Sequence, residues 1–170
     1  EWLWQLSGLA TCFKITWAIG ILQVLCSLAG KLPSECSVID PSFGWLNRLE
    51  AAIAMGMSYV GVDPNVRLLP AADALVDAYA AHGTPHIELY PCGFETWDAL
   101  GRTFDFAIAS PPFKKGGERY SPDPAQASEC DDWASWYQAY IKKLWSLVKP
   151  RGFMAIHVSD TRHMPAHSMT

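Results

Sequence analysis

The chain lacks an excess of positive charge, a metal-binding spacing and a leader-like opening, and each absence narrows what it can do. Among its 170 residues, 13 Lys and Arg face 17 Asp and Glu, a formal charge of −4. That balance gives no overall electrostatic grip on a polyanion. Any nucleic-acid contact must come from a local basic patch, a missing target-recognition segment or a partner chain. The five cysteines (Cys12, Cys26, Cys36, Cys92 and Cys130) leave an odd count and form no Cys-x-x-Cys or Cys/His ligand pattern. Free thiols in a reducing compartment fit that usage, and Cys36, beside an expected core strand, reads as a small buried hydrophobe. His82, His86, His163 and His167 show no helical pairing, and the lone His157 falls on an expected strand as a structural residue, so no metal is expected. The start has neither the charged opening nor the small-residue cleavage site of a signal peptide. It begins with Glu1 rather than methionine, as a fragment would. No internal repeat is visible.

What is present is one core's worth of apolar residues, half of the chain. From Leu9 to Gly30 the apolar run has about the length of a membrane span, but Lys14, Gln23, Thr11, Thr16 and Ser27 interrupt it. It reads as a helix buried on a sheet. The expected organisation is an apolar helical segment over 1–33 packed on the core, a core domain over 34–160 and a polar tail over 161–170.

Within that core, strands and helices alternate. Val38-Ile39-Asp40-Pro41 and Tyr59-Val60-Gly61-Val62-Asp63-Pro64 are short strands, each ending in an acid and a proline. Leu46 to Met57 between them has Leu49, Ala52, Ile53 and Gly56 at helical spacing. Leu68 to Ala81 predicts a helix with Pro70 in its first turn. Ile87–Tyr90 predicts a third strand, Glu95–Leu100 a short helix and Phe104–Ala109 a fourth strand. Lys114 to Cys130 is a long loop rich in glycine, proline and charge. Asp131 or Asp132 caps a helix through Trp133, Trp136, Tyr140, Leu144 and Leu147. Pro150-Arg151-Gly152 then turns the chain into a fifth strand, Phe153–Ser159. The expectation is an α/β fold, a Rossmann-like doubly wound and mainly parallel sheet flanked by helices.

Three strand ends carry candidate chemistry. Gly44 allows close backbone approach or a positive φ angle. Asp63, at the carboxyl end of the second strand, is placed to accept hydrogen bonds from two ribose hydroxyls. Ser110-Pro111-Pro112-Phe113 ends the fourth strand: carbonyl and hydroxyl oxygens there can accept from an amino group while the ring stacks on the base bearing it. Proline pairs after strands also occur in plain loops, so the grouping matters more than any one motif.

As an ordered set, these residues resemble the class I S-adenosylmethionine-dependent methyltransferases, and within them phage and viral DNA amino-methyltransferases. Asp40-Pro41-Ser42-Phe43-Gly44-Trp45-Leu46-Asn47-Arg48 is similar to a cofactor motif, Asp-Pro-x-x-Gly-Trp-Gly-x-Arg. Gly61-Val62-Asp63-Pro64-Asn65 is similar to the ribose motif. Ser110-Pro111-Pro112-Phe113 is similar to the catalytic motif, with Glu118-Arg119-Tyr120-Ser121 after it. The likeness runs from about Cys36 to Thr161. It implies strand order 3-2-1-4-5 with later strands missing, a cytoplasmic enzyme of a bacterium or of the host of a phage or virus, and S-adenosyl-L-methionine as cofactor.

The resemblance also implies site residues. Asp40, Pro41, Ser42, Phe43, Gly44, Asp63 and Glu95 hold the cofactor, Asp40 meeting its ammonium and Glu95 its adenine amino group. Ser110, Pro111, Pro112 and Phe113 are catalytic. Lys114, Lys115, Arg119 and Tyr120 contact nucleic acid. The implied reaction is methylation of adenine N6 or cytosine N4 in DNA; the alternatives are an RNA base or a silent binding module. Trp45 either packs against the cofactor or fills core, and core is the expected role. Where the family has a second glycine this chain has Leu46, harmless if that glycine serves only helix packing and costly if it lets backbone approach the cofactor.

Overall fold

The structure, a computed structural model, describes residues 13–80, 83, 85–112 and 132–158. The phenyl ring of Phe113 and the loop residues Lys114, Lys115, Arg119 and Tyr120 lie outside the described residues. Five strands, β1 (Ser37–Asp40), β2 (Ser58–Val62), β3 (Ile87–Tyr90), β4 (Phe104–Ala109) and β5 (Val148–Ile156), form one sheet in the order β3-β2-β1-β4-β5. Every pairing is parallel. Sheet order and flanking helices agree with the expected doubly wound fold.

Helices cover both faces because alternate strand residues are apolar on both sides. On one face Val38, Tyr59, Phe106 and Ile108 pack against α1 (Ile15–Ala29), α2 (Asn47–Ala54) and α3 (Leu69–Ala80). In α1 the buried residues Ala18, Leu22, Leu25 and Cys26 recur at helical spacing, and Gly30, at φ 64°, closes the helix with its N–H on the Cys26 carbonyl. Cys36 is buried against the same cluster. No helix among the described residues is long and apolar enough to cross a membrane. On the other face Ile39, Val60, Val62, Ala107 and Ala109 lie under Tyr140 and Leu144 of α4 (Trp133–Ser146) and under Phe94 and Trp97.

Three elements differ from expectation. The segment Glu95–Leu100 is not a helix: Lys143 of α4 donates to the carbonyls of Phe94, Glu95 and Trp97, which holds these acceptors toward the ammonium. Strand β5 starts before Pro150, not after Gly152. Phe104 pairs with Val148 and Phe106 with Phe153, so the intervening residues bulge out with Arg151 at φ 66°. The expected turn is therefore a bulge within the strand. Trp45, expected in the core, is 50% exposed, and Phe43 is buried in its place.

Asp105 on β4 ties the entry to β1 and the start of β5 together. Its carboxylate accepts from Ser37 N at 3.0 Å, Ser37 Oγ at 2.8 Å and Lys149 Nζ at 2.9 Å, and also from Lys31. Burial alone raises this carboxyl's pKa, but the hydrogen bonds from Lys31, Lys149 and Ser37 together outweigh it and hold the group well below the usual carboxylate range. A lowered folded pKa gives stability that is complete above the unfolded value of about 4 and is lost as pH falls through the folded one. Urea unfolding should therefore show Asp105→Asn clearly less stable than wild type at about pH 7, with the gap narrowing toward about pH 3. A gap independent of pH would remove the charge from this account.

Candidate functional site

Strands β1 and β4 are neighbours although β2 lies on the far side of β1, so the winding reverses between them. In open α/β sheets the crevice at that reversal, outside the carboxyl ends of the strands, is where ligands bind. Asp40–Gly44, Asp63 and Ser110–Pro112 all leave strands at this end.

The turn after β1 is built on a buried ion pair. Asp40 is fully buried and Arg48, in the first turn of α2, is 4% exposed. Arg48 Nε reaches Asp40 Oδ2 at 2.6 Å and its Nη2 reaches Oδ1 at 3.1 Å, a two-pronged contact. Nη2 also donates to the Ser42 carbonyl. The Tyr59 hydroxyl donates to Asp40 Oδ2 at 2.8 Å and Ser42 N to Oδ1 at 3.1 Å. The structure thus gives the Asp40 carboxylate partners other than the cofactor ammonium expected of it. Pro41 and Phe43 are buried, and Phe43 packs so tightly on Gly61 that a Cβ there would sit 2.8 Å from its ring and 2.8 Å from Leu89. Phe43 belongs to the core cluster, and Pro41 is buried beside it in the turn.

Gly44 has φ 51° and Leu46 has φ 69°. The glycine adopts the left-handed region freely; Leu46 adopts it at a cost of about 1–2 kcal/mol. The position where the resembled motif carries its second glycine is thus a left-handed turn residue here, a constraint apart from packing or cofactor approach. The left-handed conformation brings Gly44 N to Asp63 Oδ2 at 3.0 Å, while Asn65 N donates to Oδ1 at 2.9 Å. Burial raises the Asp63 pKa, and these two backbone N–H groups oppose the rise only in part. Each Asp63 oxygen keeps acceptor capacity for a further donor.

Ser42 Oγ receives the Tyr140 hydroxyl at 3.4 Å, joining this turn to α4. Tyr140 belongs to an aromatic wall: its ring lies 5.2 Å from those of Phe94 and Trp136. Glu95 is exposed beyond that wall and accepts from the Trp136 indole N–H. Across the crevice, Pro111 is buried and the Pro112 carbonyl accepts from Trp133 Nε1 at 3.3 Å. Ser110 Oγ lies 3.2 Å from His157 Nδ1.

Sequence reasoning assigns no site role to Tyr59, Tyr140, Lys143 or His157, and it includes Arg48 only as the last residue of the cofactor-motif likeness. Arg48 did leave a signal, a lone cation on a helix face otherwise made of Leu49, Ala52 and Ile53. Among the described residues no group of acids, histidines and cysteines is arranged to hold a metal ion.

No family model matches the chain, and no curated protein matches its sequence. Solved structures do match. DesVI of Streptomyces venezuelae aligns with TM-score 0.56 at 15% identity, over 84% of this chain and 49% of that one. TrmN from Thermus thermophilus aligns with TM-score 0.55 at 19% identity, over 81% and 37%. An S-adenosylmethionine-dependent methyltransferase from Clostridium acetobutylicum aligns with TM-score 0.55 at 15% identity, over 87% and 52%. The fold is the Rossmann-like methyltransferase fold. The chain spans about half or less of the length of these neighbours.

Two substitutions test the turn. Arg48→Met strands a buried carboxylate and should cost about 3–5 kcal/mol in denaturant unfolding; a loss below about 1 kcal/mol would mean the pair is not buried in solution. Leu46→Val should be less stable than Leu46→Gly by about 1–3 kcal/mol, because a β-branched residue is strained at positive φ.

Proposed function

We propose that this chain is an S-adenosylmethionine-dependent methyltransferase acting on an exocyclic amino group of a nucleobase, adenine N6 or cytosine N4 of DNA. The observation that carries it is the placement of Ser110-Pro111-Pro112 at the end of β4, beside the strand whose end bears the Asp40–Gly44 turn hydrogen-bonded to Asp63. On this reading, an acid suited to a ribose and an acceptor suited to an amino group flank one crevice.

The residues present fit the cofactor. Asp63 is a desolvated carboxylate with one backbone N–H on each oxygen, and a ribose diol would supply the missing donors. The aromatic wall of Phe94, Trp136 and Tyr140, with Glu95 at its rim, suits an adenine ring and its amino edge. The Asp40–Arg48 pair holds the turn, and Gly44 lets backbone approach. When bound, S-adenosylmethionine supplies a sulfonium-activated methyl group and leaves as a neutral thioether.

The chain's own part is positioning. An exocyclic amino nitrogen is a poor nucleophile because its lone pair is delocalised into the ring. Ser110 Oγ and the adjoining carbonyls accept its N–H bonds and favour a pyramidal nitrogen, whose lone pair then points away from the base plane. The methylated nitrogen sheds one proton to solvent. Most of the acceleration comes from this orientation. Phe113 stacks on the base, and Lys114, Lys115, Arg119 and Tyr120 contact the nucleic acid. A base in a duplex is first flipped out.

An RNA base is the alternative acceptor. The rival of another class is a silent binding or assembly module, supported by Leu46 in a turn that favours glycine. Incubating the full chain with methyl-labelled S-adenosylmethionine and duplex DNA, single-stranded DNA or RNA separates these readings. The expected result is label on adenine N6 or cytosine N4 of DNA, with Ser110→Ala lowering kcat about tenfold or more. Label confined to RNA selects the alternative; no label with any acceptor selects the module.

A further inference from the structure

The Ser110 hydroxyl lies 3.2 Å from Nδ1 of His157, a contact between the ends of β4 and β5 that the reaction outlined above does not use. We propose that His157 is a positioning residue whose Nδ1 accepts the hydrogen bond of the Ser110 hydroxyl, fixing the serine oxygen as an acceptor for the substrate amino group. This rests on the methyltransferase reading.

The argument concerns hydroxyl polarity. A serine oxygen carries one donor and two acceptor sites, and its proton rotates to suit its surroundings. Left free, that proton can point at the amino nitrogen and engage the lone pair that must attack. Directed to Nδ1, it leaves the oxygen lone pairs for the amino N–H groups. A neutral imidazole with its proton on Nε2 has the required acceptor; an imidazolium presents donors on both nitrogens and reverses the polarity.

The surroundings of the ring favour the neutral form. His157 N donates to the Ala109 carbonyl at 2.8 Å, extending the ladder between β4 and β5 and fixing the backbone beneath the ring. The Phe13 ring meets it edge-on at 5.4 Å. With Phe13, Trp17 and Ile156 it lines a cavity of about 470 Å³. Among the described residues, two cations flank the rings that line this cavity: Arg48 from α2, whose guanidinium lies 5.3 Å from the Phe13 ring, and Lys14 before α1, whose ammonium lies 5.2 Å from the Trp17 ring. Partial burial and then the field of Arg48 lower the His157 pKa from its ordinary value. The imidazole is therefore neutral at neutral pH and protonates only as the solution turns acid.

Imidazole nitrogen NMR of the full chain, with the His157 signal identified by its loss in His157→Asn, tests the hydrogen bond directly. The expected result is the Nε2–H tautomer at neutral pH. Ser110→Ala should raise the His157 pKa, because it removes a donor that favours the neutral ring. The Nδ1–H tautomer, or a titration that Ser110→Ala leaves unmoved, would overturn the proposal. In methyl transfer, wild-type kcat should fall on the acid side in step with that titration. His157→Phe should lose about tenfold in kcat with the KM for S-adenosylmethionine unchanged. His157→Asn, whose amide oxygen offers an acceptor near the Nδ1 position, should recover most of that loss without the acid limb. Methyl transfer unaffected by His157→Phe overturns this proposal alone; the correct tautomer in a chain that transfers no methyl group overturns the enzyme reading.

Discussion

The candidate site depends on one buried ion pair. Asp40 closes β1 inside the protein, where an unpaired carboxylate would be too costly to keep, and Arg48 neutralises it from the first turn of α2. Tyr59, from the neighbouring strand, and the backbone of Ser42 complete its hydrogen bonds. Because the guanidinium also holds the Ser42 carbonyl, the chain between strand and helix is drawn into a tight turn with two left-handed residues, Gly44 and Leu46. That turn delivers an N–H group to Asp63, so the acid at the end of β2 is positioned by an interaction that begins at the end of β1. The pair thus links packing to chemistry: it satisfies a buried carboxylate and sets the geometry of a surface it does not itself reach.

The opposite wall is held in a comparable way. Lys143 gathers the carbonyls of Phe94, Glu95 and Trp97 and lies 4.8 Å from the Phe94 ring centroid. One ammonium therefore takes the place of a helix in ordering the segment after β3, and it keeps the aromatic wall and Glu95 at the rim of the crevice. Both walls use a cation from a helix to organise backbone carbonyls of a loop.

Much of this was legible because it follows from short-range pattern. Alternating apolar strands and helical spacing predict a parallel α/β sheet, an acid after a strand marks Asp40 and Asp63, and the strand order itself comes only from the methyltransferase resemblance. The rest depends on contacts across the sheet. Asp40 and Arg48 open and close one sequence motif, but their pairing is not legible until the turn is folded, since Arg48 occupies a helix face that otherwise reads as core. Trp45 and Phe43 exchange places, one exposed and one buried, because left-handed backbone at Gly44 and Leu46 rotates the turn. The bulge in β5 reflects close approach: a Cβ on Gly152 would lie 2.5 Å from the Asp105 carbonyl oxygen. His157 reads as a structural strand residue until the parallel pairing of β4 with β5 brings it against Ser110.

The central claim is that this crevice is a nucleoside pocket closed by Asp63. Calorimetric titration of the full chain with S-adenosylmethionine, beside a folded Asp63→Ala variant, tests it most directly. The account predicts saturable binding by the wild-type chain and a loss of about 1.5–3 kcal/mol in the variant, the worth of hydrogen bonds to a charged group. A folded chain that does not bind, or a variant that binds as tightly as wild type, would contradict it.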